Sequence, residues 1–264
     1  MMIDAHAHGK IAELEGDPKA YVAAWRERGV EAIVLIEPLD DCLAAREKCG
    51  DFIIPCARIN MDDSSGKEIE ECIAAGCPAI KFIRPAAPYS DERYWPLYAK
   101  LEELGKTAVF HTGYLGFGKG KREDRPVHME YMRAAQIDVI SRRFPDMRIL
   151  MSHFSNPWWE EAWKIMWTKP NVYADLSGGT AINRSLLMWS EMFAPNGELM
   201  EDSIRKLLYA ADTFFFRPRQ TAERWHPKHV AFHEKLYDRI GLSDELRELV
   251  NRGNARMLFG LDET

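Results

Sequence analysis

The chain has 264 residues, 46% hydrophobic and 29% charged, with a formal net charge of −6. This composition buries a sizeable core, and the acidic balance argues against a general nucleic-acid or membrane-surface binder, which needs a basic excess. No apolar run nears the roughly 20 residues that span a bilayer, the N-terminus lacks a signal-peptide pattern, and five cysteines (42, 49, 56, 72, 77) without a Cys-x-x-Cys pair read as reduced thiols.

A cytoplasmic protein with one domain over residues 1–264 is the expectation. The first element, MIDAH (2–6), is an apolar run that closes on His6, with His8 two residues on. A helical stretch, PKAYVAAWRERG (18–29), follows, with apolar residues near i, i+3, i+4 spacing and a closing Gly. Strand-like EAIVLIEP (31–38), FIIPCARIN (52–60) and PAIKFIR (78–84) come next, with helical SSGKEIEECIAAG (64–76) and ERYWPLYAKLEELG (92–105) among and after them. TAVFHTG (107–113), RILMSHF (148–154), NVYADLSG (171–178) and KLLYAADTF (206–214) bring the strand-like runs to eight. Residues 243–261 read as terminal helices on the outside.

Strands alternating with helices imply parallel strands joined by βαβ crossovers. Eight of them, in a chain near the ~250 residues typical of the closed form, predict a (β/α)8 TIM barrel. The first strand is followed by no Gly-x-Gly-x-x-Gly, so the simplest dinucleotide-binding open sheet is set aside.

Polar residues collect where such a barrel builds its active site. His6 and His8 close strand one, His111 strand five, His153 strand six and Asp212 strand eight. The C-terminal strand ends of a barrel share one face. A period of two points His6 and His8 the same way, a chelating arrangement on rigid backbone. With His111 and Asp212 they make a nitrogen-rich donor set with one carboxylate, suited to zinc or another first-row ion. A lone buried histidine is ordinarily a core residue. Four of the chain's eight histidines at strand ends, with an aspartate, are a site. His128 falls in a loop, and His226, His229 and His233 read as the surface face of a helix.

HAH after strand one, FHTG after strand five, SHF after strand six, AADTFF after strand eight and the closing NARMLFGL (254–261) resemble the amidohydrolase superfamily, in its amidohydrolase-related (amidohydrolase 2) branch. That resemblance implies one divalent ion, zinc with manganese or iron as alternatives, held by His6, His8, His111 and Asp212. It makes His153 the acid–base and electrostatic residue, and Asp212 the group that takes a water's proton. Lys81, in KFIRP, is open between substrate binding, carboxylation as a metal bridge and a structural ion pair; Lys81 and Arg84 are the candidate binders of a substrate carboxylate. The implied activity is metal-dependent hydrolysis of an amide or lactone bond in a small anionic substrate, with non-oxidative decarboxylation as the alternative. A TatD-type deoxyribonuclease fits less well, because AIKFIRP carries no bridging carboxylate, and a non-catalytic metal barrel is the remaining reading. A homodimer is the default assembly.

Two loops are expected over the barrel mouth. GYLGFGKGKREDRPVH (113–128) has the glycines and basic residues of a mobile cationic lid. TFFFRPRQ (213–220) should place at least one Phe in the pocket, while Trp158 and Trp159 read as packing residues.

Overall fold

The computed structural model describes residues 1–116, 127–217 and 222–261. Seven strands fall where the apolar runs place them, with trimmed ends: β1 (Met2–His8), β2 (Val30–Glu37), β3 (Ile53–Arg58), β4 (Ala79–Phe82), β5 (Thr107–His111), β6 (Arg148–Ser152) and β7 (Val172–Asp175). The eighth position is not the single strand that KLLYAADTF suggested. It is split into β8 (Leu207–Leu208) and β9 (Thr213–Phe214). Asp212, between them, has φ +54°, a left-handed backbone that cannot continue an extended strand.

All paired neighbours are parallel, in the order β8-β7-β6-β5-β4-β3-β2-β1-β9. The gap between β8 and β9 is bridged by backbone bonds to β1, from Ala5 N to Tyr209 O (3.1 Å) and from Asp212 N to His6 O (2.9 Å). The sheet therefore closes into an α/β barrel whose last position bends at the residue that carries its carboxylate.

The barrel interior is filled by alternate residues of the strands, among them Ile3, Ala5, Val34, Ile36, Ile54, Cys56, Ala79, Val109, Leu150 and Leu208. Ala255, Leu258 and Phe259 join that cluster from the helix Asn254–Leu258 and its end. The terminal helices thus do more than lie outside: they plug the end of the barrel where the strands begin, and Thr107 Oγ1 donates to Leu258 O at 2.5 Å. In barrels this end serves stability and the opposite end chemistry.

Helices cover the outer face. The helix Pro18–Glu27 starts on Asp17, whose carboxylate accepts from Ala20 N at 3.0 Å, with Pro18 in its first turn, and it buries Val22 and Trp25. The long helix Ala222–Ile240 packs behind the β8–β1 seam. No helix of the described residues is long and apolar enough to cross a membrane. All five cysteines are free and buried, and burial pushes the Cys42 and Cys77 thiols up to about 12.

Candidate active site

Strict alternation along β1 would put Asp4, His6 and His8 on one face. The register with β2 shifts between Asp4 and Ala7, so Ile3 and Ala5 lie in the interior cluster while Ala7 packs under the helix Pro18–Glu27. His6 and His8 lie side by side beyond this irregularity, with ring centroids 5.2 Å apart. Asp212 joins them: its Oδ1 lies 3.4 Å from His8 Nε2 and 3.8 Å from His6 Nε2. One ligand atom from each of the three lies within 4.8 Å of the others.

The electrostatics of the trio are built around a positive charge. His8 Nδ1 faces Ile36 O at 2.8 Å, which leaves Nε2 toward Asp212. Burial pulls the His8 imidazole down, but its bonds to Asp212 and Glu37 outweigh burial and raise it to about 9. Burial likewise pushes Asp212 up, and the bond to His8 with the neighbouring histidines overrides it, holding the carboxyl well below the usual range. His6 is driven well down, by burial first and then by Lys81, so its ring is neutral. Two imidazole nitrogens and an ionised carboxylate converging where a cation is favoured are a chemically fitting donor set for a divalent ion.

His111 is placed differently from its partners. It is buried at the edge of the site, its ring 4.6 Å from His153, and its Nε2 faces Tyr114 O at 3.3 Å. It stands in neither of the two donor groups found among the described residues, His6–His8–Asp212 and His6–His153–Asp175.

His153 follows β6 in a left-handed conformation, φ +64°, and its ring lies 4.7 Å from that of His6. Strain at His153 and Asp212 has an explanation in the groups that hold them. Asp175, at the end of β7 and fully buried, accepts from His153 N (2.9 Å) and Ser177 N (3.0 Å) through Oδ1. Its Oδ2 lies 3.6 Å from His6 Nδ1. A carboxylate behind a metal-binding histidine can fix its tautomer and orient its ring, so Asp175 is a further candidate site residue, absent from the set the sequence suggests. Ser177 Oγ sits 2.8 Å from His153 Nδ1.

Lys81 is 1% exposed, and its Nζ donates to Ser152 Oγ across the barrel at 2.7 Å. Among the described residues no carboxylate oxygen lies within 4.0 Å of Nζ, which removes the structural ion pair from its three readings. Burial, the main cause, lowers Lys81 to about 8. Its register partner on β3 is Arg58, a second cation that the sequence reading passed over. Arg58 continues the inward phase of Ile54 and Cys56, is 44% exposed, and reaches Glu37 Oε2 at only 3.8 Å. Arg84, the other expected carboxylate binder, is exposed on the loop after β4 with φ +58°.

The Amidohydrolase family model matches residues 3–261. The chain belongs to the amidohydrolase family. No curated protein matches its sequence. Among solved structures this family member is similar to an uncharacterised TIM-barrel protein from Bordetella bronchiseptica (16% identity, TM-score 0.69, covering 100% of this chain and 99% of that one). It is similar to a provisionally assigned 2-pyrone-4,6-dicarboxylic acid hydrolase from Pseudomonas putida (18%, TM-score 0.67, 99% and 98%). It is also similar to a dihydroxybenzoic acid decarboxylase from Polaromonas with bound manganese and an inhibitor (13%, TM-score 0.62, 100% and 98%). At these identities the likeness shows the fold.

Around the site of this amidohydrolase family member, one Phe of TFFF does reach the histidine cluster. The Phe214 ring is 5.4 Å from His8, while Phe215 packs on Trp25 and Phe216 on Tyr21. Trp159 packs on Trp189, and Arg133 stacks over Trp158. Residues 117–126 of the expected lid, and 218–220 of the second loop, lie outside the described residues.

His226, His229 and His233 are not a surface face. They are 3%, 1% and 1% exposed, on the side of the long helix that also buries Phe232, Leu236 and Ile240. A neutral imidazole packs as an aromatic ring, and burial, the leading cause, lowers His226 to about 4 and His233 to about 3.

Proposed function

We propose that this protein is a metal-dependent hydrolase that cleaves an amide or lactone bond in a small anionic substrate. The carrying observation is the convergence of His6, His8 and Asp212 within ligand distance of one another, next to a His153 whose Nδ1 is held by Ser177 Oγ. These three residues would hold one divalent ion, zinc or alternatively manganese or iron, with His111 as the adjoining fourth ligand. The ion supplies Lewis acidity and a lowered water pKa.

The protein's own groups do the rest. Asp212 uses Oδ1 toward the histidines, so Oδ2 takes the proton of the attacking water and returns it to the leaving group. His153 Nε2 donates to the substrate carbonyl oxygen as charge develops there. Lys81 and Arg58, side by side on β4 and β3, hold a substrate carboxylate away from the reacting bond, with Arg84 at the outer edge.

Non-oxidative decarboxylation at the same site is the second reading. It is supported by the likeness to a dihydroxybenzoic acid decarboxylase and by a mouth already furnished with cations. Both readings are tested by presenting the metal-loaded protein with lactones, amides and aromatic carboxylates, and measuring hydrolysis and CO2 release in parallel. Hydrolysis without CO2 supports the first reading, and CO2 release without hydrolysis replaces it.

A further inference from the structure

Behind the candidate metal centre, between the β8–β1 seam and the helix Ala222–Ile240, several buried polar atoms have no partner among the described residues. Asp4 Oδ2, the Tyr209 hydroxyl and the Nε2 atoms of His226 and His233 are all in this state. They are neighbours. The Tyr209 ring lies 4.8 Å from that of His233 and 5.8 Å from that of His226. The backbone bond from Ala5 N to Tyr209 O (3.1 Å) sets Tyr209 against the segment that carries Asp4.

The chemistry of these atoms is specific. His233 Nδ1 donates to His229 O at 2.8 Å, so its Nε2 presents a lone pair. Asp4 Oδ2 is an acceptor when ionised, and the hydroxyl of Tyr209 is both donor and acceptor. No two of them are within hydrogen-bonding distance, although an unmade bond costs each buried group its full desolvation. A polar, enclosed space with two or more partners per site is what an internal water occupies.

The other oxygen of Asp4 reaches the metal site. Asp4 Oδ1 accepts from His6 N (3.1 Å) and from Ala211 N (3.0 Å), and Asp212 N donates to His6 O (2.9 Å). One carboxylate oxygen therefore ties the backbone of one proposed ligand to the residue just before another. It does so at the bend where Asp212 departs from the strand.

We propose that Asp4, Tyr209, His226 and His233 enclose buried water behind the metal centre. Acting through Asp4, this hydrated seam positions His6 and Asp212. Asp4 is a positioning residue rather than a ligand. Tyr209 and His233 keep its outer oxygen satisfied through water, so the carboxylate does not turn away from the two amides. The proposal rests on the metal reading above and extends it to a layer of residues that never touch the ion.

The test measures zinc affinity by competition with a chromophoric chelator, thermal unfolding of the metal-free protein, and ordered water in a crystal structure. Asp4→Val, which removes both acceptors at similar volume, should weaken zinc binding by about 10-fold or more, as losing a group behind a ligand does. Asp4→Asn keeps a carbonyl oxygen for the two amides and should restore most of that affinity. Asp4→Ser carries the affinity arm if Asp4→Val does not fold. Tyr209→Phe should lower the melting temperature, because the enclosed water loses a partner.

A melting temperature unchanged or raised by Tyr209→Phe would overturn the proposal, since deleting an unpaired hydroxyl from a dry site is neutral or stabilising. So would Asp4→Val or Asp4→Ser with wild-type zinc affinity, or a seam without water in the crystal. Wild-type protein that takes up no zinc or manganese would instead refute the metal reading. The Tyr209→Phe melting temperature and the crystallographic water would then still decide the seam.

Discussion

Gly178 sets backbone against the candidate site, and Gly178→Ala is therefore a sharp perturbation. Gly178 has φ +86° and ψ 159°, a region that only glycine adopts freely. A Cβ added there would lie 3.3 Å from His153 Nδ1 and 3.4 Å from Asp212 Oδ2. The backbone strain alone costs about 1–3 kcal/mol. At roughly 2–4 °C per kcal/mol for a chain of this size, the melting temperature should fall by about 5 °C. The crowding adds a second effect, because the imidazole that it meets is held by Ser177 at 2.8 Å and the carboxylate is a proposed ligand. Zinc affinity and turnover should fall with it. Gly16→Ala is the control: Gly16 shares a positive φ, +103°, but nothing lies within 4 Å of its added Cβ. Calorimetry and zinc titration on both variants separate strain from crowding. Gly178→Ala with wild-type melting temperature and zinc affinity would refute the placement of Gly178 against the site.

Asp175→Asn should weaken metal binding by about 10–100-fold, because the group behind His6 loses its charge, and chelator competition reads this directly. Lys81→Met and Arg58→Met should each raise KM at least about 10-fold on a carboxylated substrate, as loss of a charge-assisted bond does, and change KM little on its neutral amide. Metal content should stay at the wild-type level in both, as elemental analysis will show. The five buried thiols should be unreactive toward a disulfide reagent in the native protein at pH 8 and react fully once it is unfolded, since burial holds their pKa values above 9.

The barrel was legible in the sequence because its strands are short β-branched runs that end on polar residues. The convergence of His6, His8, His153 and Asp212 on one end of the barrel was legible because each polar residue closes such a run. What escaped was set by relations that one-dimensional spacing does not carry. Asp175 lies in NVYADLSG, but its role exists only through contacts with His6 and His153 on other strands. Arg58 ends β3 and gains meaning from a register partner 23 residues on, Lys81. Asp4 was hidden by the register shift in β1, which breaks the alternation that a period of two assumes. The helix histidines were misplaced because imidazole was counted as polar, whereas packed beside Tyr209 and Tyr237 it behaves as an aromatic ring. His111 shows the converse: its strand-end position was legible, but the turn of its Nε2 toward Tyr114 O was not.

Metal stoichiometry is the most direct test of the account. Elemental analysis of the purified wild-type protein beside His8→Ala, His111→Ala and Asp212→Ala, with circular dichroism to confirm folding, should find about one equivalent of zinc, manganese or iron per wild-type chain. The three folded variants should hold a small fraction of that amount. Folded variants that keep the full equivalent, or a wild type that binds none, would contradict a metal centre built on His6, His8 and Asp212.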